Sequence, residues 1–495
     1  MKLYFTFLIV FFLQQINYSQ VYDVTRFGAI PDGITLNTMA IQRAIDTAHA
    51  NGGGRVLIPK GNFLTGSIRL KTGVELYLSK KSKLLGSTNP ADYVKLNRWK
   101  ALIMADASTN ISVVGKGVID GQGLSLALHI DSLFYVGEID SSDYIFPEKR
   151  PMVTLRPQII EFVKCSNIKV KGVTIRNCAS WVQSYDLCTN LFIDDIFVDS
   201  DTYWNNDGID ILDCENVRIT NSTINSSDDG ICLKSYNLAQ DTSTYCNRIY
   251  IANCEIRSSA SAIKFGTASR GGFKNIHIEK IKVFDTFRSA VALECDGGGI
   301  LENILIDGVK AKNTGNALFI RLGKRLDYRP PGTIRNVTIR NMNVVIPFGR
   351  PDTDYKIRGP ELPFFHNTFP ASITGIPGHT VNDITLEGIK ISYPGRGNKG
   401  LAYVPLSRIN KIPEQIAAYP EFSMFGELPA WGFYVRHVNG LKMKDIKMKV
   451  RKPDYRKALL FDDVENVYLE AIKIRSHDLG DAIHWKNQRN IKIVN

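Results

Sequence analysis

The sequence predicts an all-β chain wound as a parallel β-helix, and three observations carry that expectation. A phrase of the form Asn-apolar-x-apolar recurs at Asn167, Asn190, Asn216, Asn247, Asn275, Asn303 and Asn336, with gaps of 23, 26, 31, 28, 28 and 33 residues, and again at Asn466 and Asn490. A repeat of roughly 20–50 residues marks a stacked architecture. Between the anchors, runs such as 168–175 (IKVKGVTI), 217–224 (VRITNSTI) and 276–283 (IHIEKIKV) alternate β-branched and polar residues, the period of a strand. Each unit holds about three such strands and no helical linker, so one side chain in two points into a core and the next faces solvent or ligand.

Taken in order, residues 1–20 read as a secretory signal peptide. Lys2 supplies the positive start, and the apolar run Leu3 to Leu13 has 11 residues, too short for the about 20 that span a bilayer. Residues 21–110 are expected to form an N-terminal cap and the first coils. That stretch holds the one convincing helix, with Asn37 or Thr38 as its cap, an apolar face of Ile41, Ala44, Ile45 and Ala48, and a stop at Gly52-Gly53-Gly54. An open stack exposes strand edges at its end, so a cap is physically required. Residues 111–495 form the β-helix domain, interrupted by excursions near 326–380 and 394–431 that are rich in Pro, Gly and aromatic residues. Long ordered loops are usually functional. The Asn column itself is read as architecture, because Asn tolerates left-handed backbone and bonds its stack neighbours.

Composition narrows the function classes. At 495 residues with 44% hydrophobic and 22% charged content, the chain is neither disordered nor fibrous. Its formal charge of +12 suits an anionic partner. The basic residues are scattered singly along the sequence, which argues against a nucleic-acid binder. No later segment is long and apolar enough to span a membrane. The expected product is a secreted or periplasmic monomer. All eight cysteines fall between Cys165 and Cys295, and Cys165, Cys188 and Cys214 each sit two residues before an anchoring Asn. They read as a stack of buried thiols, with a disulfide framework or metal site as the alternative.

Five stretches come into register when the coils are aligned by their apolar pattern: 207–211, 229–233, 261–265, 289–293 and 316–320. Ile209, Ile231, Ile263, Val291 and Leu318 form an inward column, and Asp210, Cys232, Lys264, Ala292 and Phe319 the next, outward one. Two residues further, also outward, stand Lys234, Glu294 and Arg321. Asp207 then stacks beside Asp229, with Asp228 immediately before it. Strands lie about 4.8 Å apart, so three carboxylates crowd on one face and at least one pKa should rise. A protonated carboxyl beside ionised ones supplies the acid and base of glycoside hydrolysis. A calcium site or solvated turn carboxylates are the plainer alternatives.

The phrase NNDGIDI (205–211), with SSDDGICLKS (226–235) following so that Asp228 lies 21 residues after Asp207, resembles glycoside hydrolase family 28, the polygalacturonases and rhamnogalacturonan hydrolases. The opening FGAIPDG…AIQRAID resembles that family's capping segment. The resemblance implies a right-handed parallel β-helix and an inverting mechanism with no cofactor or metal. It implies Asp228 as general acid, with Asp207 and Asp229 positioning and deprotonating water, and an acidic polysaccharide or oligosaccharide as substrate. The chain departs from the family pattern in three places. Asn206 stands for a Thr, no His lies near Ser261-Ala262, and the Arg-Ile-Lys segment that grips a substrate carboxylate aligns with Ala292-Leu293-Glu294.

Lys264 occupies the column of the missing Arg one coil earlier. It is expected to bind substrate, together with Asp210, Lys234, Glu294, Arg321 and Trp204. Phe425, Trp431, Phe433 and Tyr434, near Glu427, are candidate sugar-stacking residues, half of them expected to pack the loop instead. His366 and His379 are candidates for the missing imidazole, with surface loop histidines as the favoured reading. The leading function is thus an exported, polygalacturonase-like α-glycosidase, acting from the chain end if the long loops close the cleft. The alternatives are a β-helix polysaccharide lyase and a non-catalytic carbohydrate-binding protein.

Overall fold

A computed structural model describes residues 20–236, 244–356, 362–475 and 479–494. The signal-peptide reading therefore falls on residues outside the described ones, apart from Gln20. The chain winds as a right-handed parallel β-helix with three strands per coil. One coil is Gln183–Asp186, Thr189–Asp194 and Phe197–Ser200; the next is Ile209–Leu212, Glu215–Thr220 and Thr223–Ser226. Each strand pairs in parallel with its counterpart one coil on, as Leu191 does with Val217 and Val198 with Ile224. In later coils the corners tighten until Gly272–Cys295 is a single extended run, bent where Asn275, Lys280 and Asp285 take positive φ.

The inward columns form one continuous core along the whole stack, almost entirely Ile, Val and Leu. The Asn anchors mark one corner. Asn167, Asn190, Asn216, Asn275, Asn303 and Asn336 all sit at φ between 52° and 59°. Each amide reaches the previous coil, as in Asn190 Nδ2 to Asn167 Oδ1 at 3.0 Å and Asn303 Nδ2 to Asn275 Oδ1 at 3.1 Å. All eight cysteines are free and buried. Cys165, Cys188, Cys214 and Cys246 precede register-paired residues and so stack against one another.

The helices differ from the sequence expectation in two respects. The helix α1 spans Thr38–Ala50 and buries Ala40, Ile41, Ala44, Ile45 and Ala48, but the Asn37 side chain does not cap it. Asn37 instead braces the preceding turn, accepting from Ile30 N at 2.7 Å and donating to Thr35 O at 2.7 Å. A second helix, α2, spans Gly123–Tyr135 and buries Leu126, Ala127 and Ile130. Its LSLAL run carries strand-like alternation, which hid it in the sequence.

Within 326–380, Thr333–Arg340 and Asn343–Val345 belong to the stack, so the long connection there begins after residue 345 and returns at Ala371–Thr374. The second excursion leaves after Lys390–Tyr393 and returns at Ala430. It docks through Ile409, Ile412, Phe422, Phe425 and Leu428 onto the outward residues Ala292 and Phe319.

The ladder makes a stability prediction. Asn216 donates to Asn190 at 3.2 Å and accepts from Arg248 at 2.6 Å while holding φ near 56°. Asn216→Ala should lose about 1–2 kcal/mol for left-handed backbone on top of the ladder bonds, whereas Asn216→Gly loses only the bonds. Thermal denaturation should therefore rank wild type above Gly above Ala. Equal loss in the two variants would remove the backbone argument.

Candidate active site

The site is built at the corner between two of the three sheets. The backbone there must come close to its neighbours. A Cβ on Gly208 would lie 2.5 Å from Ile224 Cγ2, and one on Gly230 would lie 2.4 Å from Ile256 Cγ2. Each Asp-Gly pair is therefore a tight corner whose Asp projects outward at the same height in successive coils. The coils interlock through Gly208 N to Asp229 O at 2.9 Å and Gly230 N to Ser261 O at 2.9 Å.

Asp207, Asp228 and Asp229 each offer a carboxylate oxygen, and the three oxygens lie within 4.8 Å of one another. Asp207 and Asp229 are 4% exposed, whereas Asp228 is partly open to solvent. Asp229 accepts from Ser261 N at 3.1 Å and faces Lys264 Nζ at 3.3 Å. Asp207 faces Lys234 Nζ at 2.9 Å, and the same ammonium contacts Asp210. Asp228 receives Asn205 Nδ2 at 3.5 Å, and Asn205 is held by Arg150 and Arg156, each at 2.8 Å.

The register columns read from the sequence are those of the structure: Asp210 pairs with Cys232, Cys232 with Lys264, Lys264 with Ala292 and Ala292 with Phe319. The outward face is nevertheless covered rather than open. Asp210, Lys264, Glu294 and Arg321 are at most 2% exposed, and Lys234 is 7% exposed. On one side Trp181 lies over Lys234, 4.0 Å from ring centroid to Nζ, and Trp99 packs edge-on against Trp181. On the other side the second excursion closes down. Tyr419 OH accepts from Lys264 at 3.4 Å, and Glu421 pairs with Arg288 at 2.7 Å. Arg321 donates to the backbone oxygens of Gly375, Glu414 and Gln415 and so anchors the loops. Trp204 is half-buried beneath Arg150.

The other loop candidates lie elsewhere. Trp431, Phe433 and Tyr434 are completely buried and Phe425 is 4% exposed; Trp431 and Phe433 lie in the main core, and Phe425 and Tyr434 pack the loop. Glu427 holds Asn367 through two hydrogen bonds. His366 stacks on Phe369 at 4.4 Å, and His379 is exposed, bridged to Ile376. Three residues of the site escaped the sequence reading: Arg288, Tyr419 and Glu421. Arg288 follows the Asp228 register by two coils, as its backbone bond to Ala260 O shows. That column was the signal available.

Electrostatics follow from the count of charges. Six carboxyls, Asp207, Asp210, Asp228, Asp229, Glu294 and Glu421, face three cations, Lys234, Lys264 and Arg288. Burial first, then the neighbouring Asp229, raises Asp228. Burial pushes Asp210 up to about 6 and Asp207 and Glu294 well above the usual range. Asp229 alone is held low: burial works against it, and Lys264, Lys234 and Arg288 outweigh burial. The arrangement thus favours a proton on Asp228 beside an ionised Asp229. The same three carboxylates could take a cation, but a divalent ion would have to displace the ammonium groups already facing Asp207 and Asp229.

Residues 50–285 match the profile described as glycosyl hydrolases family 28. It is 27% identical over 380 residues to an exo-poly-alpha-D-galacturonosidase of Dickeya chrysanthemi, covering 66% of this chain and 62% of the relative. It is also 27% identical over 311 residues to a probable polygalacturonase of Vitis vinifera, covering 58% and 60%. The chain thus spans about three fifths of the length of these relatives. In fold it resembles the exopolygalacturonase of Thermotoga maritima, with a TM-score of 0.63, 22% identity and coverage of 87% of this chain and 92% of that one. It also resembles the family 28 exopolygalacturonase of Yersinia enterocolitica, with a TM-score of 0.59, 19% identity and coverage of 95% and 78%.

Glu294 offers a test of the electrostatics. Among the described residues its Oε2 has no hydrogen-bond partner, and it lies 3.9 Å from Lys264. A carboxyl raised on folding contributes stability fully below its ordinary value of 4.5 and loses it as pH climbs toward the raised value. Relative to wild type, Glu294→Gln should therefore gain melting temperature progressively as pH rises from about 4.5 through the neutral range. A difference that stays constant across that range contradicts the assignment.

Proposed function

We propose that the protein is an exported, inverting glycosidase of the polygalacturonase type that cleaves α-glycosidic bonds of an acidic polysaccharide from a chain end. The observation that carries this reading is the trio of Asp207, Asp228 and Asp229, in which the one partly exposed carboxyl is also raised. Asp228 donates its proton to the leaving oxygen, and Asp207 and Asp229 position the water, with Asp229 as the ionised base that deprotonates it. Lys264 and Lys234 act through the aspartates, Lys264 keeping Asp229 ionised as the base. Arg288 and Trp204, the partly exposed cation and ring beside the trio, contact the sugar. Glu421 holds Arg288 until substrate arrives.

Chain-end action is supported by the docked excursion, which seats on Ala292 and Phe319 and brings Tyr419 and Glu421 over one end of the cleft. The similarity to the exo-poly-alpha-D-galacturonosidase of Dickeya chrysanthemi points the same way. We further propose a monomer with residues 1–20 as its signal, 21–110 as cap and first coils and 111–495 as the catalytic β-helix. Among the described residues no helix is long and apolar enough to cross a membrane.

Asp228→Asn tests the acid. The amide keeps the shape but cannot donate the proton, and such a group contributes about 10²–10⁴-fold. Turnover on polygalacturonate or a rhamnogalacturonan should fall by at least about 10²-fold, with the melting temperature nearly unchanged. Retention of a tenth of the activity would discard Asp228 as the acid.

Stereochemistry tests the mechanism separately. Carboxyl pairs about 5–5.5 Å apart usually accompany retention, and pairs about 6.5–9.5 Å apart accompany inversion. The contacts here are short, so the inverting reading rests on the family. Proton NMR of the first-formed product should show the β anomer. An initial α anomer would establish a covalent intermediate instead.

A further inference from the structure

Cations that are scattered singly in the sequence are brought together by the coil. On the sheet that leads into the catalytic corner, Lys282, Lys310, Lys390, Lys447 and Lys473 fall in one register column, interrupted only by Asn343. Two residues along the strands, Lys312, Lys449 and Arg475 share the next outward column. All eight side chains are exposed. Among the described residues, the ion pairs made to them are Lys282–Glu255 at 3.8 Å and Lys447–Asp445 at 2.9 Å.

Like charges on facing strands about 4.8 Å apart destabilise a sheet. The adjacent sheet of the same coils avoids this by alternating sign. There Arg340 meets Asp307 at 2.8 Å, Lys444 meets Glu470 at 3.3 Å, and Arg335 pairs with Glu302. The basic columns carry no such alternation. Toward the C-terminal end they line a groove of about 860 Å³.

We propose that this face is a second, non-catalytic binding site for an extended anionic polysaccharide chain lying along the axis of the stack. Five of the six coils present an ammonium group, the coil of Asn343 and Val345 being the gap, a spacing that a linear polymer with repeated charges can follow. The face is continuous with the cleft. The runs Gly272–Cys295 and Ile300–Leu322 carry Lys282, Lys310 and Lys312 at mid-length, and Arg288 lies six residues beyond Lys282 at the catalytic corner. Single-stranded nucleic acid would want aromatic platforms for its bases. In these coils the two columns hold a single ring, Phe284. The choice of a polysaccharide rests on the glycosidase reading above; the site itself rests on the charge columns.

The test uses the full chain and a variant carrying Lys390→Gln, Lys447→Gln, Lys449→Gln and Lys473→Gln, none of which touches the catalytic corner. Affinity for polygalacturonate is measured from about 20 to about 200 mM salt, with dextran and duplex DNA as controls. The variant should bind polygalacturonate at least about tenfold more weakly at low salt, and its slope of log affinity on log salt should be shallower by about 2–3, four charges at about 0.7 each. Its melting temperature should be unchanged or higher, and hydrolysis of a trisaccharide should be unchanged. The corresponding four Lys→Arg substitutions should restore binding. Equal affinity of wild type and variant overturns the proposal, as does wild-type binding to duplex DNA that matches or exceeds binding to polygalacturonate. If the wild type cleaves no pectic substrate while the binding difference persists, the glycosidase reading fails and the basic site stands.

Discussion

In a parallel stack every side chain is held about 4.8 Å from its counterpart one coil on, and nothing along the chain can relax that spacing without breaking the ladder. Each column of residues must therefore be chemically compatible with itself. Inward columns solve this with Ile, Val and Leu. At the Asn corner, amides donate and accept in sequence, so each residue satisfies its neighbour in the next coil. Columns of like charge cannot solve it internally. They are tolerated where a proton, a counter-ion from a loop or an external ligand supplies the missing charge.

The aspartate corner applies that constraint to carboxylates. Six of them face three cations, and burial prevents water from making up the difference. The cheapest neutralisation is a proton, and the distribution of cations decides which group takes it. Lys264 lies 3.3 Å from Asp229 and holds it ionised, while Asp228, which accepts from the neutral donors Asp229 N at 3.0 Å and Asn205 Nδ2 at 3.5 Å, is pushed up. The departures from the family pattern fit the same arrangement. Ala292, where an Arg is usual, is a seat for the docked loop, and Glu294, where a Lys is usual, adds a further buried acid. A loop carboxylate, Glu421, sits on the one cation of this group that is more than a tenth exposed.

Legibility in the sequence tracked periodicity. The three-strand coil, the inward column from Ile209 to Leu318 and the meeting of Asp207 with Asp228 and Asp229 all follow from spacing alone. Features set by segments without a period did not. Tyr419 and Glu421 arrive from a loop docked by apolar contacts that no pattern advertises, and that loop turned an outward face into a covered one. The α2 helix was hidden by a run that alternates like a strand. Asn37 stands at the helix start, yet its side chain braces the turn before it. The basic columns were legible in principle, since Lys282 and Lys310 are 28 residues apart and Lys447 and Lys473 are 26 apart. A search for Lys/Arg runs overlooks them because the charge is contiguous only in space.

The central claim is that burial and the neighbouring Asp229 keep a proton on Asp228 at pH values where an ordinary aspartate has lost it. Difference infrared spectroscopy between wild type and Asp228→Asn, followed through a pH titration, reports that carboxyl directly. The account predicts a protonated carboxyl band belonging to Asp228 that persists above the ordinary value of 3.8. Loss of that band at or below 3.8 would show that Asp228 is an ordinary carboxylate and would contradict the account.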